Sequence, residues 1–552
     1  NANFSAIDAA TPIKDLEANL DQYEPRPGAT FIATDTGTVY DAEETGWTKA
    51  IRGFETSPQE SQVPAWRVYT DGDDWIVIGP DGADKRRESQ PGHAIQYAAD
   101  NASTVHLRDT IPQDDPIRTP VVLDSTSLIG PGVRGEAHVY IDTDAADPGL
   151  KLLGGGRLAN LWLRGDPETV SGAFGTGTLL WLQDMGRGSV VEDVTLFGTT
   201  GHGMVVAGCQ QMTFRHITVS RCGSVPRDTW GIYLTNSPTD GLESNANNWF
   251  DLQSHGGSPQ GGLIAMRADQ HSATDHPRTQ HFYGLNIENG PQQPGVPLIE
   301  VAGRDTLFSG GRIAGLDAVE TVFKVVAGNR ARNTRFKDLV CLARTGNETT
   351  FYYSNGVGAA SPSVSNCEIR TDGFGIHLDF YNQTRSGLNV SDIDFRDTPV
   401  PIRVKGPKNS TPAVQLSNLS GSGEIAVQGA QLQVSDVTGV TWKRDFSHGF
   451  SPHITSDDGS FTPLYDRLAS TNVDGIASVD FGGVCQFPAG GTVDVSLIED
   501  DLGGAPYLYA PELVDTGGDG APDRAECTVY KRDGSPVGSG DVTVELSVRP
   551  HR

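Results

Sequence analysis

The stretch Val191-Glu192-Asp193-Val194-Thr195-Leu196 shows a spacing that recurs through the middle of this 552-residue chain. An apolar residue is followed by two residues, a second apolar residue, one residue and a third position that is usually apolar. Further copies are Leu158/Leu161/Leu163, Phe214/Ile217/Val219, Trp249/Leu252/Ser254, Phe282/Leu285/Ile287, Phe308/Gly311/Ile313, Phe336/Leu339/Cys341, Val364/Cys367/Ile369 and Val390/Ile393/Phe395, with weaker ones at Leu416/Leu419 and Val434/Val437. The later copies lie roughly 26–28 residues apart, a period typical of solenoids, whose small units must stack to bury an apolar face.

The residue before the middle apolar position is nearly always Asn, Asp or Gly. These residues are Asn160, Asp193, His216, Asp251, Gly284, Gly310, Asp338, Asn366, Asp392, Asn418 and Asp436. Asn, Asp and Gly tolerate a left-handed backbone, so we expect every coil to bend at this point. A helical repeat would not place such a residue between its apolar positions.

A second short segment precedes many of these frames and alternates with period two, as half-buried strands do. The segments are Gly203–Val206, Gly231–Leu234, Gly375–Leu378, Ile402–Val404 and Ile425–Val427. Strand, turn, strand and turn at a fixed period predict an all-β fold, a parallel β-helix.

The start of the repeat array supports the same fold. Residues 91–102 are predicted as a short amphipathic helix, followed by strands at 105–107 and 121–132. Such a helix can cover the open end of a solenoid, where core and unpaired strand edge are exposed. This opening and the turn ladder resemble the right-handed β-helices of the pectate-lyase superfamily over about residues 90–445. The resemblance implies a right-handed parallel β-helix of about ten coils and, by itself, no particular function.

The chain is strongly acidic, with 70 Asp and Glu against 42 Lys and Arg and a formal net charge of −28. An Asp-rich, Lys-poor surface resembles those of proteins from salt-loving archaea and their viruses. Salt at 1 M screens charges within about 3 Å, which makes the self-repulsion tolerable. An ordinary acidic secreted protein can have the same composition. Both interpretations argue against nucleic acid as a partner.

No run of 18 apolar residues is present, so we expect no membrane insertion, and the start of the sequence has no features of a secretory leader. The six cysteines lack zinc-site spacing. Cys341 and Cys367 fall on inward positions two residues out of register, so we predict buried thiols. Cys485 and Cys527 could pair.

Residues 1–90 are not repetitive. Ile13–Tyr23 suggests a helix, and residues 29–40 with Gly46-Trp47 suggest strands around a Thr-Asp-Thr-Gly turn. The pattern G-x-x-F-x-A-T-D-T-G-x-x-Y…G-W resembles a small module of phage tail fibres. This resemblance implies virion attachment. Residues 66–78 suggest a further hairpin.

Residues 451–552 lose the period, and their alternating segments predict a small antiparallel β-sandwich. An acidic, Gly-rich turn contains Asp515, Asp519 and Asp523, whose oxygens could hold calcium. The EF-hand order is absent, and a solvated acidic turn is the alternative. We expect no cofactor apart from such structural Ca or Na ions.

Three regions follow: an attachment module (1–90), a β-helix with its capping helix (91–450) and a sandwich for trimerisation or receptor binding (451–552). This layout resembles viral tailspikes and fibres. The resemblance implies a homotrimer on the virion surface, in a high-salt environment, that contacts other virion proteins through residues 1–90 and binds a host-surface glycan or glycoprotein. A polysaccharide-degrading β-helix hydrolase or lyase is the second hypothesis, and a structural capsid decoration is the third.

The coils around residues 214–282 are the longest, with frames roughly 33–35 residues apart, and loops on a rigid scaffold concentrate binding residues. Aromatic faces stack on sugars, and carboxylates and guanidinium groups hydrogen-bond hydroxyls. The candidate glycan- or receptor-binding residues are Arg227, Asp228, Trp230, Asp240, Glu243, His255, Arg267, Asp269, His276 and Arg278. The histidines could instead hold a metal, or the loops could form a trimer contact.

Catalytic residues remain unassigned. Gly201-His202-Gly203 matches a motif of polygalacturonases, but the partner motifs of that family are not in place around it. Asp193 and Asp251 form a predicted stacked pair, and glycoside hydrolysis needs two carboxyl groups roughly 5–9.5 Å apart. Both occupy turn positions, which favours a structural role.

Overall fold

The computed structural model describes residues 13–15, 30–33, 39–43, 46–49, 65–132, 138–144, 146–165, 175–254, 261–268, 276–288, 296–314, 319–326, 333–342, 349–353, 363–379, 388–405, 413–428, 431–438, 441–442, 453–456, 465–472, 474–480, 492–500, 507–515 and 524–549. The chain divides into two units, residues 1–64 and 65–552.

The first unit contains one four-stranded sheet. Its strands are β1 (Ile13–Asp15), β2 (Thr30–Ala33), β3 (Val39–Glu43) and β4 (Gly46–Lys49). Strand β1 is parallel to β2, and β2–β3 and β3–β4 are antiparallel, as the strand–turn–strand pattern predicted. The helix expected from Ile13 is wrong at its start, because Ile13–Asp15 pairs with Phe31–Ala33; residues 16–29 lie outside the described residues.

The second unit begins with the β-helix. Its elements are β5 (Trp66–Asp71), β6 (Asp74–Ile78), β7 (Asp84–Glu88), α1 (Pro91–Asn101), β8 (Thr104–Leu107), β9 (Val121–Asp124), β10 (Ser127–Ile129), β11 (His138–Tyr140), β12 (Pro148–Leu153), β13 (Arg157–Arg164), β14 (Thr178–Gln183), β15 (Val190–Thr199), β16 (Met204–Ala207), β17 (Thr213–Cys222), β18 (Ile232–Thr235), β19 (Asn248–Phe250), β20 (Gln253–Ser254), β21 (Ile264–Met266), β22 (His281–Ile287), β23 (Ile299–Val301), β24 (Leu307–Ala314), β25 (Thr321–Val325), β26 (Arg335–Leu342), β27 (Thr349–Tyr353), β28 (Ser363–Arg370), β29 (Phe374–Asp379), β30 (Leu388–Phe395), β31 (Val400–Lys405), β32 (Ala413–Gly421), β33 (Glu424–Gln428), β34 (Gln431–Thr438), β35 (Thr441–Trp442) and β36 (His453–Ser456).

Two long parallel sheets form the wall of the β-helix. The first sheet runs from β8 through β10, β11, β13, β15, β17, β19/β20 and the even-numbered strands β22 to β36. The second sheet has thirteen strands, in the order β9, β12, β14, β16, β18, β21, β23, β25, β27, β29, β31, β33, β35. Thirteen strands exceed the predicted ten coils because weak copies at both ends also fold as coils.

The recurring frame forms the core. Val191, Phe214, Phe282, Phe336 and Val390 are all fully buried, as predicted. Aromatic rings stack from coil to coil, with centroids 3.7 Å apart for Phe214–Trp249 and 4.8 Å for Phe282–Phe308. Coil stacking therefore supplies the apolar burial that one coil lacks.

The predicted left-handed turns are confirmed at ten of the eleven positions. Asn160, Asp193, His216, Asp251, Gly284, Gly310, Asp338, Asn366, Asp392 and Asn418 have φ between 49° and 73°. Asp436 lies in a strand, but its side chain is outside the description. Several turn side chains bond to the next coil: Asn418 Nδ2 donates to Asp392 Oδ1 at 2.7 Å, and Asn366 Nδ2 to Asp338 Oδ1 at 2.5 Å. We call this column the turn ladder.

The β-helix begins earlier than predicted. Helix α1 packs with Ala94, Ile95 and Ala98 in the core, as expected of a capping helix. The hairpin β5–β6–β7 belongs to the same unit, because β5 pairs in parallel with β8 of the first sheet. The boundary predicted at residue 90 therefore moves to residue 64. Sequence reasoning missed it because this hairpin has no coil period.

The C-terminal region is the predicted antiparallel sandwich. Its strands are β37 (Tyr465–Ser470), β38 (Ile476–Asp480), β39 (Thr492–Asp500), β40 (Leu508–Val514), β41 (Arg524–Tyr530) and β42 (Val542–Arg549). Sheets β37–β42–β39 and β38–β41–β40 share a core that includes Val479, Val529 and Leu546. Cys341 and Cys367 are buried free thiols, as predicted. Cys527 is also free and buried, so the suggested pairing is not present; Cys485 lies outside the described residues.

No helix among the described residues is both long and apolar enough to cross a membrane.

Candidate functional site

The predicted binding residues lie near both ends of strands of the second sheet, and the Arg267 side chain reaches Asp228 at the opposite end. Arg227, Asp228 and Trp230 lie on the connection that leads from the first sheet into β18, and Arg267 directly follows β21. Asp240, Glu243, His276 and Arg278 lie on connections that lead from the second sheet back to the first. The candidates therefore form two groups instead of one site.

Trp230 is the centre of the first group, and it is 3% exposed. Its indole lies against the backbone of Gly262, where an added Cβ would come within 2.0 Å of the ring. Arg267 covers the ring, with Cζ 5.2 Å from the ring centroid. The expectation that the Trp230 face stacks directly on a sugar is therefore wrong, because backbone and guanidinium already occupy its surroundings.

The indole and guanidinium are fixed by carboxylates. Trp230 Nε1 donates to Asp228 Oδ1 at 3.2 Å, and Arg267 Nη1 donates to the other oxygen of Asp228. Arg267 Nε also donates to Glu300 Oε1 at 2.7 Å, and Glu300 is 9% exposed. Charge-assisted bonds in such a partly dry site are strong, so the group is held in one arrangement.

A pocket of about 200 Å³ opens beside this group. Its lining residues are Ser224, Val225, Asp228, Thr229, Trp230, Gly261, Gly262, Arg267, Val296, Pro297, Glu300 and Lys324. Arg267 is committed to Asp228 and Glu300, whereas no ion pair joins Lys324 to any carboxylate of the described residues. Two cations and two carboxylates therefore line the pocket, and Lys324 is the charged group among them that forms no ion pair with a described residue.

His202 holds the backbone of Trp230, a residue that lines the pocket. Its Nδ1 accepts the backbone N–H of Trp230 at 3.0 Å, which places the ring proton on Nε2, and its ring lies 4.6 Å from that of Tyr233. Burial lowers the pKa of His202 from 6.5 to about 4. The ring is thus neutral near pH 7 and positions Trp230.

The second group is smaller. Glu243 and Arg278 form an ion pair, and His276 is buried. Asp240 is exposed and accepts the backbone N–H of Leu242 at 3.0 Å, a local turn contact.

The remaining candidates are dispersed. Arg227 is exposed on a 3₁₀ turn, and its guanidinium contacts the Thr176 carbonyl at 3.5 Å, outside the pocket lining. His255, Asp269, Asp519 and Asp523 lie outside the described residues, and Asp515 directly follows β40 and is half-buried. Within the described part of the chain no group of three or more His, Cys, Asp or Glu residues is arranged to hold a metal ion.

The predicted stack of Asp193 and Asp251 contains a third side chain. His216 lies between them on the turn ladder, with Nδ1 3.0 Å from Asp193 Oδ1 and Nε2 3.4 Å from Asp251 Oδ2. All three are substantially exposed. The imidazole occupies the gap that a sugar or a water would need between two catalytic carboxylates.

Glu300 and Lys324 were missed by sequence reasoning. Both are the outward-facing residue of a short strand of the second sheet, and they are direct cross-strand neighbours. A charged residue between apolar ones, as in Ile299-Glu300-Val301, indicates such an outward position. The sequence period alone does not show which loop covers it.

No family model and no curated protein matches the sequence. Solved structures similar to the chain include ORF18 of Geobacillus virus E2, at 13% identity over 98% of this chain and 91% of that one, with a TM-score of 0.35. The tailspike protein gp49 of Pseudomonas phage LKA1 matches at 11% identity over 78% of this chain and 67% of that one, with a TM-score of 0.31. The catalytic unit of a GH87 α-1,3-glucanase from Streptomyces thermodiastaticus matches at 14% identity over 65% and 68%, with a TM-score of 0.38.

Proposed function

We propose that the protein is a virion surface spike or fibre that binds a host-surface glycoconjugate during adsorption, through the pocket at Trp230. The observation that carries the proposal is the composition of the pocket. The carboxylates of Asp228 and Glu300, held by the Arg267 guanidinium, and the Lys324 ammonium all line it beside the Trp230 ring. Concave sites with a few convergent polar groups are typical of small-ligand and saccharide binding.

The pocket chemistry favours a glycan that carries an anionic group. Asp228 and Glu300 share the single positive charge of Arg267, and their remaining oxygen lone pairs can accept hydrogen bonds from hydroxyl groups. The Lys324 ammonium has three donors and no charged partner among the described residues, so it can pair with a carboxylate or a sulfate. Ser224 and Thr229 add hydroxyl groups at the rim.

The rest of the chain supports a spike in which binding is separated from attachment. The four-stranded unit of residues 1–64 is proposed to attach to other virion proteins. The sandwich is proposed to support a homotrimer, whose symmetry would multiply weak glycan contacts. Light scattering of the purified protein that gives three times the mass of 58.8 kDa would support the trimer, and a monomer mass would overturn it.

A high-salt setting is proposed from the charge. Diluting salt from 1 M to 0.1 M lengthens the screening distance from about 3 Å to about 10 Å, so repulsion among the carboxylates grows. We expect the melting temperature to fall on dilution. A flat or rising melting temperature would contradict a salt-loving origin.

Glycan cleavage is the alternative. Asp193 and Asp251 are two coils apart, roughly 9–10 Å at the usual strand spacing, which is close to the separation in inverting glycosidases. Because His216 fills the space between them, we favour binding without cleavage. Reducing-sugar release that stops on Asp251→Asn would establish the enzymatic alternative.

The binding test compares Lys324→Gln with Lys337→Gln, which changes an exposed lysine of the first sheet outside the pocket. Calorimetry against oligogalacturonate, hyaluronan and chondroitin sulfate oligosaccharides supplies anionic probes. We expect about tenfold weaker binding in Lys324→Gln, a loss of about 1.4 kcal/mol, and unchanged binding in Lys337→Gln. Equal affinities of both variants, or no binding by the parent protein, would overturn the assignment of the pocket.

A further inference from the structure

Two aromatic side chains interrupt a polar column on the outer face of the first sheet. The column lies one residue before the turn ladder and contains Glu192, Arg215, Phe250, Tyr283, Ser309 and Lys337 as successive cross-strand neighbours. The Phe250 and Tyr283 rings stack with centroids 5.3 Å apart and planes 15° apart. Phe250 is 37% exposed, one of three large apolar residues that the described chain leaves exposed.

The turn ladder loses its side chains beside this pair. Gly284 and Gly310 occupy two consecutive ladder positions, with φ of 73° at each. The Asp251 carboxylate reaches over Gly284, where an added Cβ would lie 2.8 Å from Oδ1. A Cβ at Gly310 would meet nothing nearer than 3.9 Å. The gap continues to Asp338, whose carboxylate is the next on the ladder.

The stack ends at this gap. Beyond Tyr283, the next residue in the column is Ser309, which is too small to cover an aromatic ring. One face of the Tyr283 ring therefore contacts Phe250, and the other borders the space above Ser309 and Gly310. We call this space the Tyr283 notch.

We propose that the Tyr283 notch binds the ring of a neutral sugar, as a second glycan contact separate from the pocket at Trp230. An aromatic face matches the C–H face of a pyranose, and Asp251, Asp338 and Ser309 supply acceptors and a donor for its hydroxyl groups. The Lys337 ammonium lies 3.6 Å from Asp338 Oδ2 and offsets that charge, so Asp251 is the carboxylate that disfavours an anionic sugar by repulsion. The inference extends the proposed function, and its ligand class differs from that of the pocket.

A second copy of the chain fits the notch less well. Two aromatic side chains bury at most a few hundred Å², whereas each partner in a stable protein interface contributes about 800 Å². The surrounding column is polar and charged, unlike the core of such an interface.

The test uses Gly310→Asn, which fills the notch without removing any group. Asn accepts a left-handed backbone and is already used at Asn366 and Asn418, so the coil should fold normally. Tyr283→Ala removes the ring face, and Tyr283→Phe keeps it as the matched control. The probes are neutral cello-, xylo-, manno- and malto-oligosaccharides, measured by calorimetry and by saturation-transfer NMR.

We expect Gly310→Asn and Tyr283→Ala each to weaken neutral-sugar binding at least tenfold, while Tyr283→Phe stays within about twofold. Binding of anionic probes should be unchanged in all three, and Lys324→Gln should leave neutral-sugar binding intact. Unchanged binding in Gly310→Asn, or a parent protein that binds none of the neutral probes, would overturn the proposal. A change of sedimentation mass in Tyr283→Ala would overturn it in favour of a contact between copies.

Discussion

The turn ladder and the pocket at Trp230 are built from the same residue types but use them differently. On the ladder, Asp and Asn adopt left-handed turns at the surface and bond to equivalent side chains one coil away. In the pocket, Asp228 and Glu300 hold a guanidinium over a buried indole. The difference shows that position relative to the coil period, and not residue type, decides whether a carboxylate bonds to its counterpart in the next coil or to a guanidinium.

The largest expected loss of stability comes from a mutation in the stacked apolar core, on the inner side of the strands that carry the turn ladder. Phe336→Asp places a charge where the side chain is fully buried in the apolar core, stacked against Phe308. An unpaired buried charge costs more than the whole stability of most domains, so we expect no soluble folded protein. Circular dichroism and soluble yield measure this. Lys337→Asp, at the exposed next residue, is the control, and equal loss in both would contradict the inward frame.

A mutation in the Trp230 pocket should destabilise the protein less than one in the stacked core, and its effect should be confined to neighbouring coils. Trp230→Ala removes the ring between Gly262 and Arg267, and we expect a loss of about 3 kcal/mol, as for other buried tryptophans. Because solenoid coils contact mainly their neighbours, hydrogen exchange should increase in β18 and β21 and stay unchanged in β30 and β32. Protection lost uniformly along the β-helix would show that the pocket is part of the global core.

These two regions also differ in how far the sequence predicts them. The ladder was predictable residue by residue, because a left-handed turn restricts the amino acid locally. The pocket was predictable only in part: Asp228, Trp230 and Arg267 were found from loop length, but Glu300 and Lys324 lie on later coils. Trp230 can be buried because Gly262, on the next coil, has no side chain. Such a contact between coils does not recur with the period of the repeat, so the sequence pattern does not reveal it. The hairpin β5–β7 was misplaced for the same reason.

Protonation of His202 should make the stability of the protein depend on pH. The folded state holds its neutral ring, with a pKa lowered to about 4, while the unfolded chain takes up a proton below about 6.5. The stability that depends on the neutral ring is therefore complete above pH 6.5 and declines as the pH falls towards 4, by up to roughly 3 kcal/mol.

The measurement is the difference in unfolding free energy between the parent and His202→Asn at pH 7 and pH 4. Asn can keep an acceptor for the Trp230 N–H but does not titrate, and the many carboxylates titrate equally in both proteins. We expect the parent to lose more stability on acidification than His202→Asn. Parallel pH profiles would show that the pKa of His202 is the same in the folded and the unfolded protein, which would contradict the buried neutral ring.

The smallest effect is expected on the ladder itself. Asn366 combines a left-handed backbone, φ 49°, with a hydrogen bond to Asp338. Asn366→Gly removes the bond but keeps the backbone unstrained, so we expect a loss of less than about 1 kcal/mol. Asn366→Ala also removes the bond and, unlike glycine, keeps a Cβ in the left-handed region without the amide that makes this conformation tolerable for Asn, so it should cost about 1 kcal/mol more than Asn366→Gly. Urea unfolding of both variants separates these contributions. If Asn366→Ala loses no more unfolding free energy than Asn366→Gly, the ladder is maintained by its side-chain hydrogen bonds. Carboxylates such as Asp251 would then be less free to accept a ligand than the Tyr283 notch requires.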